Sequence, residues 1–143
     1  MKKLLCSACL LGEPCRYDGK SKPTERISEL QSKYILIPVC PEVLGSLKTP
    51  RLPCEIQEKK VICSDGNDLT EAYIRGAEIT LSVAKKENIS IALLKEKSPS
   101  CGVHFRYDGS FRGKLISGKG ITAALLTENG IDVFSENELD QLL

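Results

Sequence analysis

Three cysteines carry the strongest chemical signal in this 143-residue chain: Cys9, Cys40 and Cys101. Each falls just past a short apolar run (Lys3 to Ser7, Tyr34 to Val39, and Ile89 to Leu94), and each run reads as a strand. In a parallel sheet the three thiols meet at one edge, the carboxyl ends of the strands, where open α/β sheets bind ligands. Three thiolates, in a chain whose single histidine is His104, suit a soft metal centre, either zinc or an iron–sulfur cluster. Three protein ligands leave one coordination position open, as a catalytic rather than a structural metal requires. Cys15, in the loop after Cys9, is the alternative fourth ligand that would close the site.

Groups suited to proton transfer lie beside these thiols. Glu42 follows Cys40 by two residues, and a partly desolvated carboxylate there suits general acid or base work. Ser98 and Ser100 flank Pro99 next to Cys101 and offer hydroxyl donors. His104 is a further base candidate, against the plainer reading of a surface loop residue. Of the other cysteines, Cys6 lies inside a strand and reads as core, while Cys54 and Cys63 read as packing residues that oppose one another in a small hairpin.

The elements that must position these groups alternate between strand and helix. Thr24 to Lys33 is helix-like, with Thr24 as its cap. Tyr34 to Val39 is nearly continuous and β-branched, as for a strand buried on both faces. Pro41 should stop pairing, and Val43 to Pro53 reads as loop. Asp68 and Glu71 form a capping-box pattern before a long helix that carries Leu69, Ala72, Tyr73, Gly76, Ala77, Thr80 and Ala84 on one face. Ser98 to Lys119 is glycine-rich and lacks periodicity, so it reads as one long loop. Gly120 to Glu128 predicts a helix, Ile131 to Phe134 a fourth strand, and Glu136 to Leu143 a short final helix. The expected fold is α/β: a single domain over residues 1–143, with a mostly parallel, Rossmann-like sheet of about four strands, flanking helices and a small hairpin.

Composition narrows the function classes. A net charge of +1 gives no electrostatic case for nucleic acid as a partner. No apolar run approaches the roughly 20 residues that span a bilayer, and the apolar stretch after Lys2-Lys3 is too short for a signal peptide, so a cytoplasmic location is expected. Seven cysteines then favour metal binding or catalysis over a disulfide framework.

Ser7-Ala8-Cys9-Leu10-Leu11-Gly12 with Arg16-Tyr17-Asp18-Gly19, then Cys40-Pro41-Glu42 with Thr49-Pro50-Arg51, then Leu94-Lys95 with Ser98-Pro99-Ser100-Cys101-Gly102, and finally Gly118-Lys119-Gly120-Ile121-Thr122-Ala123, resemble the bacterial family that includes the thiouracil desulfidases. The family has Gly-Gly-Leu where this chain has Gly45-Ser46-Leu47. The resemblance implies a 4Fe-4S cluster held by Cys9, Cys40 and Cys101, and a non-redox exchange of sulfur for oxygen on a small thiolated base such as 2-thiouracil. It puts the acid/base roles on Glu42 and Ser98. Asp18 and Asp108, in the Arg-Tyr-Asp-Gly repeated at 16–19 and 106–109, and Ser100 become candidates for substrate contacts. Because the chain carries no second domain of the kind fused in some relatives, a free base is expected rather than a thiolated tRNA. The alternative is a non-catalytic metal-binding or sulfur-carrier module built on the same cysteines.

Overall fold

Strand β1 (Lys2–Ser7) runs through the middle of the molecule, with Leu4, Leu5 and Cys6 fully buried. It pairs in parallel with β2 (Tyr34–Val39) on one side and with β5 (Ile91–Leu94) on the other, and β5 pairs in parallel with β8 (Asp132–Ser135). The sheet order β2-β1-β5-β8 reverses direction at β1, which creates a topological switch point at the carboxyl ends of β1 and β5. The computed structural model describes residues 1–143, and none of its helices is long and apolar enough to cross a membrane.

Helices cover both faces. α3 (Thr70–Lys86) and α4 (Ile121–Glu128) close one core through Ala84, Ala123 and Leu126 against Leu5, Ala92 and Leu94. α1 (Ile27–Lys33) and α5 (Leu139–Leu142) close the other through Leu30, Leu139 and Leu142 against Leu4, Cys6 and Leu93. The alternation of the side chains of β1 and β5 between two cores is the reason both strands read as unbroken apolar runs.

Two antiparallel hairpins stand outside the main sheet: β3 (Cys54–Gln57) with β4 (Lys60–Cys63), and β6 (Phe105–Tyr107) with β7 (Leu115–Ser117). The second lies within the 98–119 stretch expected to be loop. Its residues are half-buried or exposed throughout, so no one-sided apolar alternation marks it in the sequence. The first hairpin forms as expected, but Cys54 and Cys63 face each other in register and are joined by a disulfide rather than merely packed.

Four further expectations need correction. β2 is an edge strand, not one buried on both faces; Ile35 is exposed, and the edge position accommodates Pro38. Residues 41–44 form a short helix, α2 (Pro41–Leu44), begun by Pro41 at its first position. Thr24 does not cap α1; its backbone N–H instead donates to the Leu10 carbonyl. α3 begins at Thr70 without a capping box, because Asp68 accepts the Thr70 N–H one residue too early for one.

One helix crossing sets the geometry of the site. A Cβ on Gly76 of α3 would lie 1.9 Å from the Pro41 carbonyl oxygen, and one on Gly45 would lie 2.2 Å from the Ala72 carbonyl oxygen. The two glycines let α2 and α3 touch backbone to backbone, which brings Glu42 against Tyr73. Next to this crossing, Ser46 has φ 73, the left-handed region suited to the second glycine of the family pattern.

Candidate active site

The carboxyl ends of β1, β2 and β5 open into one cavity of about 450 Å³. Cys9, Cys15, Cys40 and Cys101 all line it, and all four are free thiols. Cys9 sits in a 3-10 turn (Ala8–Leu11) directly after β1, and the Cys9 and Leu10 carbonyls are held by the N–H groups of Lys22 and Thr24. Cys40 leaves β2 at the position preceding α2. Cys101 lies in the loop after β5 and is almost wholly buried. A more open groove of about 750 Å³ between α3 and α4 contains no thiol and none of the candidate catalytic residues.

The Cys101 loop is held in three ways. Ser98 Oγ accepts the N–H groups of Ser100 and Cys101, both at 3.1 Å. The carbonyls of Pro99 and Ser100 accept the N–H groups of Ile121, Thr122 and Ala123, so the loop caps the first turn of α4. A Cβ on Gly120 would lie 2.5 Å from the Ser100 carbonyl oxygen, so this contact requires glycine. Finally, the buried Glu96, 4% exposed, accepts N–H groups from Lys97, Val103, His104 and Phe105 through Oε1 alone.

Glu42 is the focus of the polar network. Its Oε1 accepts from Tyr73 Oη at 2.7 Å and from Arg51 Nε at 3.1 Å, and its Oε2 lies 3.5 Å from the Ser98 hydroxyl. Arg51 is nearly buried; it also donates to the Cys15 carbonyl at 2.9 Å and so ties the Cys15 loop to Glu42. Burial, followed by the neighbouring Glu42 carboxylate, raises the Tyr73 phenol far above its usual range and keeps it a hydrogen-bond donor.

Cys40 and Cys101 are protonated in this arrangement. Burial pushes Cys101 up to about 12. Its hydrogen bond with Cys15, then burial, raises Cys40 well above the ordinary thiol range. A metal bound here would displace those protons. No three or more His, Cys, Asp or Glu side chains converge closely enough to hold a single metal ion. The ligands of a cubane cluster bind different irons and need only surround a cavity, which is what these thiols do. The donor set therefore fits an iron–sulfur cluster better than a four-cysteine zinc site. Cys15, which borders both Cys9 and Cys40, is the fourth thiol of the group.

The other candidates lie elsewhere. Ser100 points away from the cavity, with its hydroxyl 2.7 Å from Thr122 Oγ1. Asp18 and Asp108 serve their own turns, accepting from the backbone N–H groups of Lys20 and Ser110; neither lines the cavity. The tyrosines beside them, Tyr17 and Tyr107, do line it, so both Arg-Tyr-Asp-Gly turns border one site. His104 is paired with Glu138 at the surface, outside the cavity. From the sequence, Arg51, Tyr73 and Glu96 have no role in the site: Arg51 stands only within the Thr49-Pro50-Arg51 motif and Tyr73 only on a helix face. A tyrosine on the buried face of α3 was the available signal, because its hydroxyl needs a polar partner there.

Comparison with known proteins follows the same lines. Residues 4–138 match the 2-thiouracil desulfurase family. The protein YbbK of Bacillus subtilis (strain 168), described as uncharacterized, is 45% identical over 150 residues, covering 98% of this chain and 99% of its own. A solved structure of the 4Fe-4S-dependent thiouracil desulfidase TudS superposes with a TM-score of 0.94 at 45% identity, covering 99% of this chain and 95% of that one.

Proposed function

This chain belongs to the 2-thiouracil desulfurase family, and on that premise we propose that it is a 4Fe-4S-dependent desulfidase that converts a thiolated nucleobase such as 2-thiouracil to the corresponding oxo base and sulfide. The observation that carries this reading is the placement of three free thiols, Cys9, Cys40 and Cys101, around a cavity that also holds Glu42 and Ser98. Cys9, Cys40 and Cys101 would hold the cluster. When bound, it supplies a soft Lewis acid for the thiocarbonyl sulfur.

The chain's own groups manage the water. The Glu42 carboxylate takes a proton from the attacking water through Oε2, since Oε1 is occupied by Tyr73 and Arg51. Tyr73 and Arg51 fix the carboxylate's orientation. Ser98 faces Oε2 and can pass a proton between carboxylate and substrate, while its oxygen keeps the Cys101 loop in place. Water supplies the oxygen, sulfur leaves as sulfide, and no electrons are exchanged. No helix is long and apolar enough to cross a membrane, and the substrate is a small molecule.

The test is to incubate anaerobically reconstituted protein with 2-thiouracil and no electron donor. Uracil and sulfide should appear in equal amounts over many turnovers. Stoichiometric zinc without iron, and no sulfide release, would favour the non-catalytic metal-binding alternative.

A further inference from the structure

The chain has only seven aromatic residues, and four of them, Tyr17, Tyr73, Tyr107 and Phe111, line the thiol cavity, which is formed by 24 of the 143 residues. Tyr73 is committed to Glu42. Tyr17 and Phe111 differ from it in being exposed, at 42% and 36%, and the side chain of neither hydrogen-bonds to Glu42.

Phe111 is held in an unfavourable backbone conformation. Its φ is 58, in the region that favours glycine. Glu55 Oε1 accepts the N–H groups of both Gly109 and Phe111, and Gln57 Nε2 donates to the Gly109 carbonyl, so the β3–β4 hairpin holds this loop from beneath. Strain of this kind, stabilised by surrounding bonds, is typical of ligand clamps. Tyr17 is fixed independently, because its carbonyl accepts the Arg51 N–H at 2.7 Å while the Arg16 guanidinium lies 6.0 Å from its ring centroid. Both anchors place an apolar ring at the cavity against the cost of exposing it to water.

We propose that Tyr17 and Phe111 are specificity residues that stack on the planar ring of the thiolated base and so select a cyclic, conjugated thiocarbonyl over an acyclic one. The inference rests on the desulfidase reading above. Aromatic rings offer every nucleobase a π-face and exchange little hydrogen-bonding information, so the site takes the ring class rather than one base.

The experiment compares iron-loaded wild type with Tyr17→Leu and Phe111→Leu on two substrates, 2-thiouracil and thiourea, and measures uracil binding by equilibrium titration. Loss of one stacking partner should lower the ratio of kcat/KM for 2-thiouracil over that for thiourea by about tenfold to a hundredfold, and weaken uracil binding by a similar factor at equal iron content. A ratio and a uracil affinity within twofold of wild type in both variants would overturn the proposal. If wild type releases no sulfide from either compound, the desulfidase reading fails instead, and the uracil titration still decides whether the rings bind a planar base. Should Phe111→Leu fail to fold, Tyr17→Leu alone carries the comparison.

Discussion

The carboxylate of Glu42 and the hydroxyl of Ser98 face each other at 3.5 Å across 56 residues of chain, between the loops that carry Cys40 and Cys101. Nothing local in either segment sets that distance. It follows from the close crossing of α2 and α3, which fixes Glu42, and from the capping of α4 by the Pro99 and Ser100 carbonyls, which fixes Ser98.

Glu42→Gln keeps the size of the side chain and removes the base. At unchanged iron content, kcat for sulfide release should fall about 10²- to 10⁴-fold with little change in KM. Tyr73→Phe and Arg51→Met act through the carboxylate as positioning changes and should each cost less. Full activity in Glu42→Gln would show that another group activates the water.

The buried side chain of Glu96 organises the Cys101 loop. Glu96→Ala leaves four backbone N–H groups without their acceptor, one of them on the fully buried Val103. Urea denaturation should show a loss of about 2–4 kcal/mol, with Glu96→Gln less affected because its amide oxygen still accepts. A loss under about 0.5 kcal/mol, the range of ordinary surface substitutions, would mean that the loop is held by other bonds.

Gly76→Ala tests the helix crossing. The added methyl meets the Pro41 carbonyl, so α2 must withdraw from α3. The expected destabilisation is about 1–3 kcal/mol, read as a fall of roughly 3–10 °C in Tm. Because withdrawal also separates Glu42 from Tyr73, kcat should fall with it. An unchanged Tm would contradict the close approach.

The parallel strands and the three cysteine loops were legible because both depend on local pattern: apolar runs of strand length, three of them followed within seven residues by a thiol. The long helix was legible for the same reason, from the spacing of Tyr73, Gly76, Ala77, Thr80 and Ala84. Glu96 was not, because its partners are backbone N–H groups in a loop without periodicity, and Arg51 was visible only as part of a motif, without its link to the Cys15 carbonyl 36 residues away. Asp18 and Asp108 drew attention as repeated acidic residues, yet in both turns the carboxylate serves the turn and the neighbouring tyrosine meets the cavity. The Cys54–Cys63 pairing was legible in register; the disulfide was discounted on the expectation of a reducing compartment.

The central claim is that Cys9, Cys40 and Cys101 hold an iron–sulfur cluster and Cys15 does not. Iron and acid-labile sulfide measured on anaerobically purified protein test it most directly. Wild type and Cys15→Ser should each carry about four irons and four sulfides per chain, and Cys101→Ser should lose most of both. Loss of the cluster in Cys15→Ser to the same extent as in Cys101→Ser would contradict the three-cysteine site with its open position.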